Sequence, residues 1–175
     1  AGLKKLPIIF VCENNNYSTF SPMNKRQSGQ GIAERARSFG VKSKSIFGND
    51  VCLVNKEIKE AVKNARKGNG PFLLEAFTYR ISSHVGTLDD EKVDYRSKKE
   101  IFFWKKNCPI RLFEKILIRK KFLNENSIKK INSNINKEIK SSFNFAKKSD
   151  FPYINSWNDL NICKSSPAAD KLLDD

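Results

Sequence analysis

The chain reads as an α/β protein: a parallel sheet forms first and a helical region follows. Three observations predict this. A wholly apolar run, Pro7 to Cys12, has the character of a strand buried on both faces, as parallel sheets use. Short apolar runs then alternate with segments of helical period, in the order strand, helix, strand, helix, strand. From Lys98 onward the apolar residues recur at helical spacing alone. With 175 residues, 39% of them hydrophobic and 11% aromatic, one ordinary core and a helical appendage can be accommodated.

Residues Gly31 to Phe39 carry Ile32, Ala33, Ala36 and Phe39 on one helical stripe, and Gly40 supplies the stop. Ser45 to Phe47 is a short strand. Gly48-Asn49-Asp50 turns the chain, with Asn49 or Asp50 as N-cap of a helix whose stripe is Val51, Val54, Ile58, Ala61, Val62 and Ala65. Gly68 to Pro71 ends that helix, and Phe72 to Tyr79 is the third strand. Arg80 to Arg96 has no periodicity and contains His84, the single histidine, together with Gly86 and the acidic group Asp89 to Glu91. Loops of that length in a compact domain are usually functional or disordered. Helices follow around Ile101, Phe102 and Trp104, after Pro109 at a first-turn position, and over Asn124 to Lys148. The expected organisation is therefore a sheet domain over 1–97, a helical extension over 98–150 and a tail over 151–175.

The net charge of +14 and the pI near 9.7 favour anionic partners in general. The basic residues are spread along the polar sides of amphipathic helices, however, and Phe102, Phe103, Trp104 and Phe113 fall mostly at core spacing. A solvated face is expected rather than a nucleic-acid interface, although a basic binding module stays open as an alternative. Cys12, Cys52, Cys108 and Cys163 lie dozens of residues apart, without the close pairs of a zinc site or redox dithiol. They are expected to be reduced thiols. With no apolar run of membrane-spanning length, the expectation is a soluble cytoplasmic chain without a membrane partner. The opening Ala1 to Lys5, leading at once into a strand, is expected of a piece of something longer.

Two constellations carry chemistry. The first strand ends in Asn14, Asn15, Asn16 and Tyr17, which places oxygen donors at the carboxyl edge of the sheet, where open α/β folds bind ligands. Asn15 through its amide oxygen and Tyr17 through its main-chain carbonyl suit a hard cation such as magnesium, which also takes a carboxylate that this segment lacks. A plain turn explains an Asn run as well. Arg80 and His84 follow the third strand and share that edge, where they could hold a diphosphate. A lone histidine is more often a surface or packing residue.

The segments LPIIFVCENNNY, IAERARSFG, FGND, GPFLLEAFTYRISSH, DYRS and WKKNCPI, in this order and spacing, resemble the carboxyl-terminal half of the alpha subunit of the thiamine-diphosphate-dependent 2-oxo acid dehydrogenases. The resemblance covers roughly residues 1–150. It implies the sheet fold that binds thiamine diphosphate, with magnesium held by Asn15 and Tyr17. It also implies diphosphate contacts from Arg80 and His84, with His84 as the catalytic residue, and a part for Tyr95 and Arg96 in ordering the loop when a lipoyl domain docks. The implied activity is oxidative decarboxylation of a 2-oxo acid, pyruvate first, with acyl transfer to lipoamide. A beta subunit and a lipoyl-bearing second component are the implied partners, and residues 98–148 are expected to pack against partner subunits.

Departures from the family pattern also matter. The Gly-Asp-Gly segment whose Asp supplies the metal's carboxylate is expected one helix upstream of the paired amides, before Ala1. Thr19 and Phe20 stand where Ile-Ser is usual, which leaves a relative acting on acetoin or another carbonyl substrate as the alternative. Ser82, Ser83 and Val85 depart in the loop, so kinase regulation at Val85 is not expected.

Overall fold

A computed structural model describes residues 1–29, 31–85 and 95–150. Residues 1–124 form one compact unit and the chain from Glu125 forms a second. The first unit is built on three parallel strands: β1 (Ile9–Asn14), β4 (Lys42–Phe47) and β5 (Phe72–Phe77), in the order β1-β5-β4. Between β1 and β4 lie a two-stranded hairpin, β2 (Tyr17–Ser18) with β3 (Ser21–Pro22), a short 3-10 turn over Met23–Lys25, and α1 (Ile32–Ser38). Helix α2 (Val51–Arg66) returns the chain from β4 to β5. Helices α3 (Lys98–Lys106) and α4 (Pro109–Arg119) complete the unit.

The last strand in sequence lies in the middle of the sheet, and its alternation assigns the two faces. Leu74 and Ala76 pack with Ile46 against Leu53, Val54 and Ile58 of α2, and Leu74 is fully buried. Glu75 points the other way, toward α1, where it accepts from the Ala33 amide. In register, Asn14 and Phe47 both flank Phe77, so all three strands stop at one level. That common level is the carboxyl edge on which the site stands.

The first strand differs from expectation. It runs over Ile9–Asn14 rather than Pro7 to Cys12, and it is not buried on both faces: Phe10 is 40% and Val11 56% exposed. The reason is its place at an edge of the sheet, where it hydrogen-bonds to β5 alone. Strand β4 begins three residues earlier than expected, at Lys42. Lys42 and Lys44 are tolerated because β4 is the other edge, and Lys44 pairs with Glu57 of α2 at 2.7 Å. Strand β5 ends at Phe77, so Thr78 and Tyr79 belong to the site loop.

The Gly-Asn-Asp turn divides three tasks among three residues. Gly48 lies so close to the central strand that a Cβ there would stand 2.9 Å from the Phe77 carbonyl oxygen. Asp50 is the N-cap of α2, its carboxylate accepting from the amides of Cys52 and Leu53, each at 3.0 Å. Asn49 is buried and ties two other segments, accepting from the Thr78 hydroxyl and donating to the Asn107 carbonyl, each at 2.8 Å.

In the second unit, α5 (Glu125–Lys148) is a 24-residue amphipathic helix. Its stripe of Ile131, Ile135 and Ile139 is about half exposed. Among the described residues, no helix is long and apolar enough to cross a membrane. Cys12, Cys52 and Cys108 are free thiols, while Cys163, the acidic group Asp89 to Glu91 and the tail lie outside the described residues.

Candidate functional site

Strand β1 ends in a chain of amide turns. The Asn14 side-chain oxygen accepts from the Asn16 amide and the Asn15 side-chain oxygen accepts from the Tyr17 amide, each at 2.9 Å. Such side-chain turns are what three consecutive Asn residues offer a strand end, and Asn16 takes the left-handed backbone, φ 64°, that Asn tolerates. The chain then reverses in the β2–β3 hairpin, where Pro22 lies opposite Tyr17. The Met23 amide donates to the Asn16 carbonyl at 2.7 Å, so Tyr17 and Pro22 are a non-hydrogen-bonded pair and the Tyr17 main-chain carbonyl is directed away from Pro22. Asn15 Oδ1 has one lone pair engaged and a second beside it. These two oxygens are the donors a hard cation takes.

Arg80 joins this turn to the loop after β5. Its guanidinium donates to the Thr19 carbonyl and the Tyr95 hydroxyl, each at 2.9 Å, and to the Ser82 carbonyl at 3.3 Å. It also meets His84 Nδ1 at 3.2 Å. A guanidinium can only donate, so this contact uses the Nδ1 lone pair and puts the imidazole proton on Nε2. His84 is exposed, and its Nε2–H is the donor it presents outward. The structure thus places Arg80 and His84 together and brings Arg80 to the hairpin that begins at Tyr17. A two-pronged grip on a phosphate by Arg80 would require exchange of at least one present partner, because its Nε and Nη2 donors are already used.

Behind the loop lies an aromatic cluster around a buried cation. Arg96 is 5% exposed, its guanidinium carbon 4.8 Å from the ring centre of Tyr79 and 4.9 Å from that of Tyr95, and it donates to the Arg80 carbonyl. Trp104 of α3 stacks between Tyr79 and Phe47, with centroids 5.4 and 5.7 Å away. Burial and the nearby Glu100 charge push the Tyr79 phenol up to about 12. Arg80 and Arg96 therefore fasten the two ends of the segment that contains His84.

Beneath the amide turn, Glu75 is fully buried and accepts four hydrogen bonds: from the Asn14 side chain at 2.7 Å, the Ser45 hydroxyl at 2.8 Å, and the amides of Ala33 and Ile32 at 3.0 and 3.1 Å. Burial alone would raise its pKa. The bonds from Ala33, Asn14, Ser45 and Ile32 outweigh that and hold the carboxyl below its ordinary range. Gly31 makes this possible, since a Cβ there would sit 3.2 Å from a Glu75 oxygen. The roles of Glu75, Asn14 and Asn49 did not emerge from the sequence. The available signal was Glu75 itself, a charge in the middle of the apolar run Phe72 to Phe77, which a buried strand can hold only when paired.

A magnesium ion bound here would need a carboxylate besides the oxygens of Asn15 and Tyr17. Among the described residues there is no group of three or more His, Cys, Asp or Glu side chains able to hold a metal. The donor set fits part of a magnesium diphosphate site, and its carboxylate would come from elsewhere.

The family model described as dehydrogenase E1 component matches residues 1–155. The 2-oxoisovalerate dehydrogenase subunit alpha of Bacillus subtilis (strain 168) is 35% identical over 125 residues, 71% of this chain and 37% of that protein. The pyruvate dehydrogenase E1 component subunit alpha of Acholeplasma laidlawii is 37% identical over 127 residues, 73% of this chain and 36% of that protein. The mitochondrial 2-oxoisovalerate dehydrogenase subunit alpha of Mus musculus is 40% identical over 130 residues, 74% of this chain and 29% of that protein. The chain thus spans about a third of the length of these relatives. With the match running from its first residue through α5, the chain belongs to the dehydrogenase E1 component family, among the alpha subunits of the 2-oxo acid dehydrogenases.

Proposed function

We propose that this chain is the part of a 2-oxo acid dehydrogenase alpha subunit that holds the magnesium diphosphate end of thiamine diphosphate. The observation that carries the reading is the convergence at one sheet edge: Arg80, paired with His84, donates to the Thr19 carbonyl in the hairpin that begins at Tyr17. Asn15 Oδ1 and the Tyr17 carbonyl would take the metal. The Nε2–H of His84 would donate to a phosphate oxygen, and Arg80 would orient that imidazole. When bound, thiamine diphosphate supplies the electron sink for breaking the bond beside a 2-oxo carbon. This chain's own residues would bind and orient; His84, the candidate catalytic residue, would offer its Nε2 proton to the bound group.

A beta subunit would form the other wall of the active site and a lipoyl-bearing component would accept the acyl group, as the family resemblance implies. The metal's carboxylate would come from another segment of the alpha subunit. Pyruvate and 2-oxoisovalerate are the substrates to compare, since relatives named for each match at similar identity. A second reading, acetoin or another carbonyl substrate, rests on the departure at the hairpin tip, where Thr19 and the exposed Phe20, packed edge-on against Tyr95, stand in place of the usual Ile-Ser.

The test is carbon dioxide release by the full alpha subunit carrying this chain, assembled with its beta subunit. Thiamine-diphosphate-dependent release from one of the 2-oxo acids, reduced at least tenfold by His84→Ala, is the expected result. Full activity in His84→Ala would sink the assignment of His84. Turnover of acetoin alone would favour the second reading.

A further inference from the structure

We infer that Glu75 is a positioning residue for the metal-binding turn and acts through Asn14. This deepens the proposed function and rests on it. Glu75 is the one fully buried carboxylate among the described residues; it lies on the central strand and hydrogen-bonds to none of the proposed ligands. One of its oxygens, Oε1, accepts from Asn14 Nδ2 and the Ile32 amide; the other, Oε2, accepts from the Ser45 hydroxyl and the Ala33 amide. The carboxylate therefore joins the central strand to both edge strands and to the start of α1.

Asn14 carries the effect onward. It is 7% exposed and every part of it is engaged. Its Nδ2 is held by Glu75 at 2.7 Å and also meets Met23 Sδ at 3.4 Å, while its Oδ1 accepts from the Asn16 amide at 2.9 Å. Its main-chain carbonyl accepts from the Thr78 amide at 2.9 Å, which ties the β1 end to the segment leading to Arg80. Asn15 lies between Asn14 and Asn16, both of which are clamped. The direction in which Asn15 Oδ1 and the Tyr17 carbonyl point is thus set by a chain that ends on a buried carboxylate. An ionised carboxylate suits this post because it only accepts, and four donors converge on it. The amide nitrogen of a glutamine would replace an oxygen that accepts from two donors, so at least one of those four meetings, and both at the Oε1 position, would become donor against donor.

A capping role for Glu75 and a positioning role differ in which neighbour matters. Ser45 sits on Oε2, on the side away from the turn, and Asn14 on Oε1 leads into it. The experiment compares Glu75→Gln, Asn14→Ala and Ser45→Ala in the full alpha subunit assembled with its beta subunit. Binding of thiamine diphosphate is titrated at fixed magnesium, and thermal stability is recorded for each variant. Expected are losses of affinity of tenfold or more in Glu75→Gln and Asn14→Ala, with Ser45→Ala within twofold of wild type although its melting temperature falls. If Glu75→Gln fails to fold, the Asn14 and Ser45 variants decide. Wild-type affinity in Asn14→Ala, or an equal loss in Ser45→Ala, overturns the positioning role and leaves the proposed function standing. Failure of the wild-type assembly to bind thiamine diphosphate overturns both.

Discussion

The Tyr17 hydroxyl donates a 2.7 Å hydrogen bond to the carboxylate of Glu100 on α3, so the residue whose main-chain carbonyl is proposed to take the metal is held by its side chain to a helix 83 positions away. Burial, together with this bond to an anion, pushes the phenol well above its ordinary value, so it stays protonated and donating at neutral pH. Tyr17→Phe is expected to lower stability by about 1.5–3 kcal/mol, the range for a bond to a charged acceptor. In the pair of single variants and the double variant with Glu100→Gln, the losses should fall short of additive. Denaturant unfolding of the three proteins measures this; strict additivity would show that the bond carries no weight.

Gly48 offers a sharper test of packing. Its amide donates to the Phe77 carbonyl at 2.7 Å, and an added Cβ would press on that same carbonyl and on the Ala76 side chain, both at 2.9 Å. The obstacle is the backbone of the central strand, which cannot step aside as a flexible side chain would. Gly48→Ala should cost roughly 2–3 kcal/mol, in the upper range for overpacking. A melting temperature equal to wild type would mean that β4 and β5 can separate at this end without loss.

The two residues after Gly48 should respond differently. Asp50→Ala removes a half-buried N-cap and should cost about 1 kcal/mol, with Asp50→Asn nearly neutral. Asn49→Ala strands the Thr78 hydroxyl and the Asn107 carbonyl at a buried position, and should cost about 2–3 kcal/mol. Equal losses for Asp50→Ala and Asn49→Ala would contradict this division of labour.

This turn also shows what the sequence disclosed and what it hid. Local chemistry was legible: the N-cap at Asp50 or its neighbour, the helix stripe from Val54 to Ala65 though not the exposed Val51 at its start, the apolar core of β5. So was the shared edge on which Asn15, Tyr17, Arg80 and His84 sit, because it follows from strand ends alone. What stayed hidden was set by partners distant in sequence. Asn49 reads as a cap, but its bonds run 29 and 58 residues away. Lys42 and Lys44 do not look like strand residues, because edge exposure is a property of sheet order and not of the segment. Glu75 breaks an apolar run for a reason found only where β1, β4 and α1 meet.

Glu75 should also leave a trace in acid. Its carboxyl is held below the ordinary 4.5, so the folded chain takes up the proton less readily than the unfolded chain. Its contribution to stability is therefore complete above that ordinary value and is lost as pH falls through the lower folded value. Wild type should lose stability across this acid window more steeply than Glu75→Gln, which carries no titrating group there. Parallel curves, from unfolding free energies measured below and above pH 4.5, would show that Glu75 is not the group responsible.

The most direct test of the site is a calorimetric titration of thiamine diphosphate into the full alpha subunit assembled with its beta subunit, with and without magnesium, for wild type and Asn15→Ala. Binding is expected to require magnesium, and Asn15→Ala to weaken it at least tenfold. Tight binding indifferent to magnesium, or Asn15→Ala binding as wild type does, would contradict this.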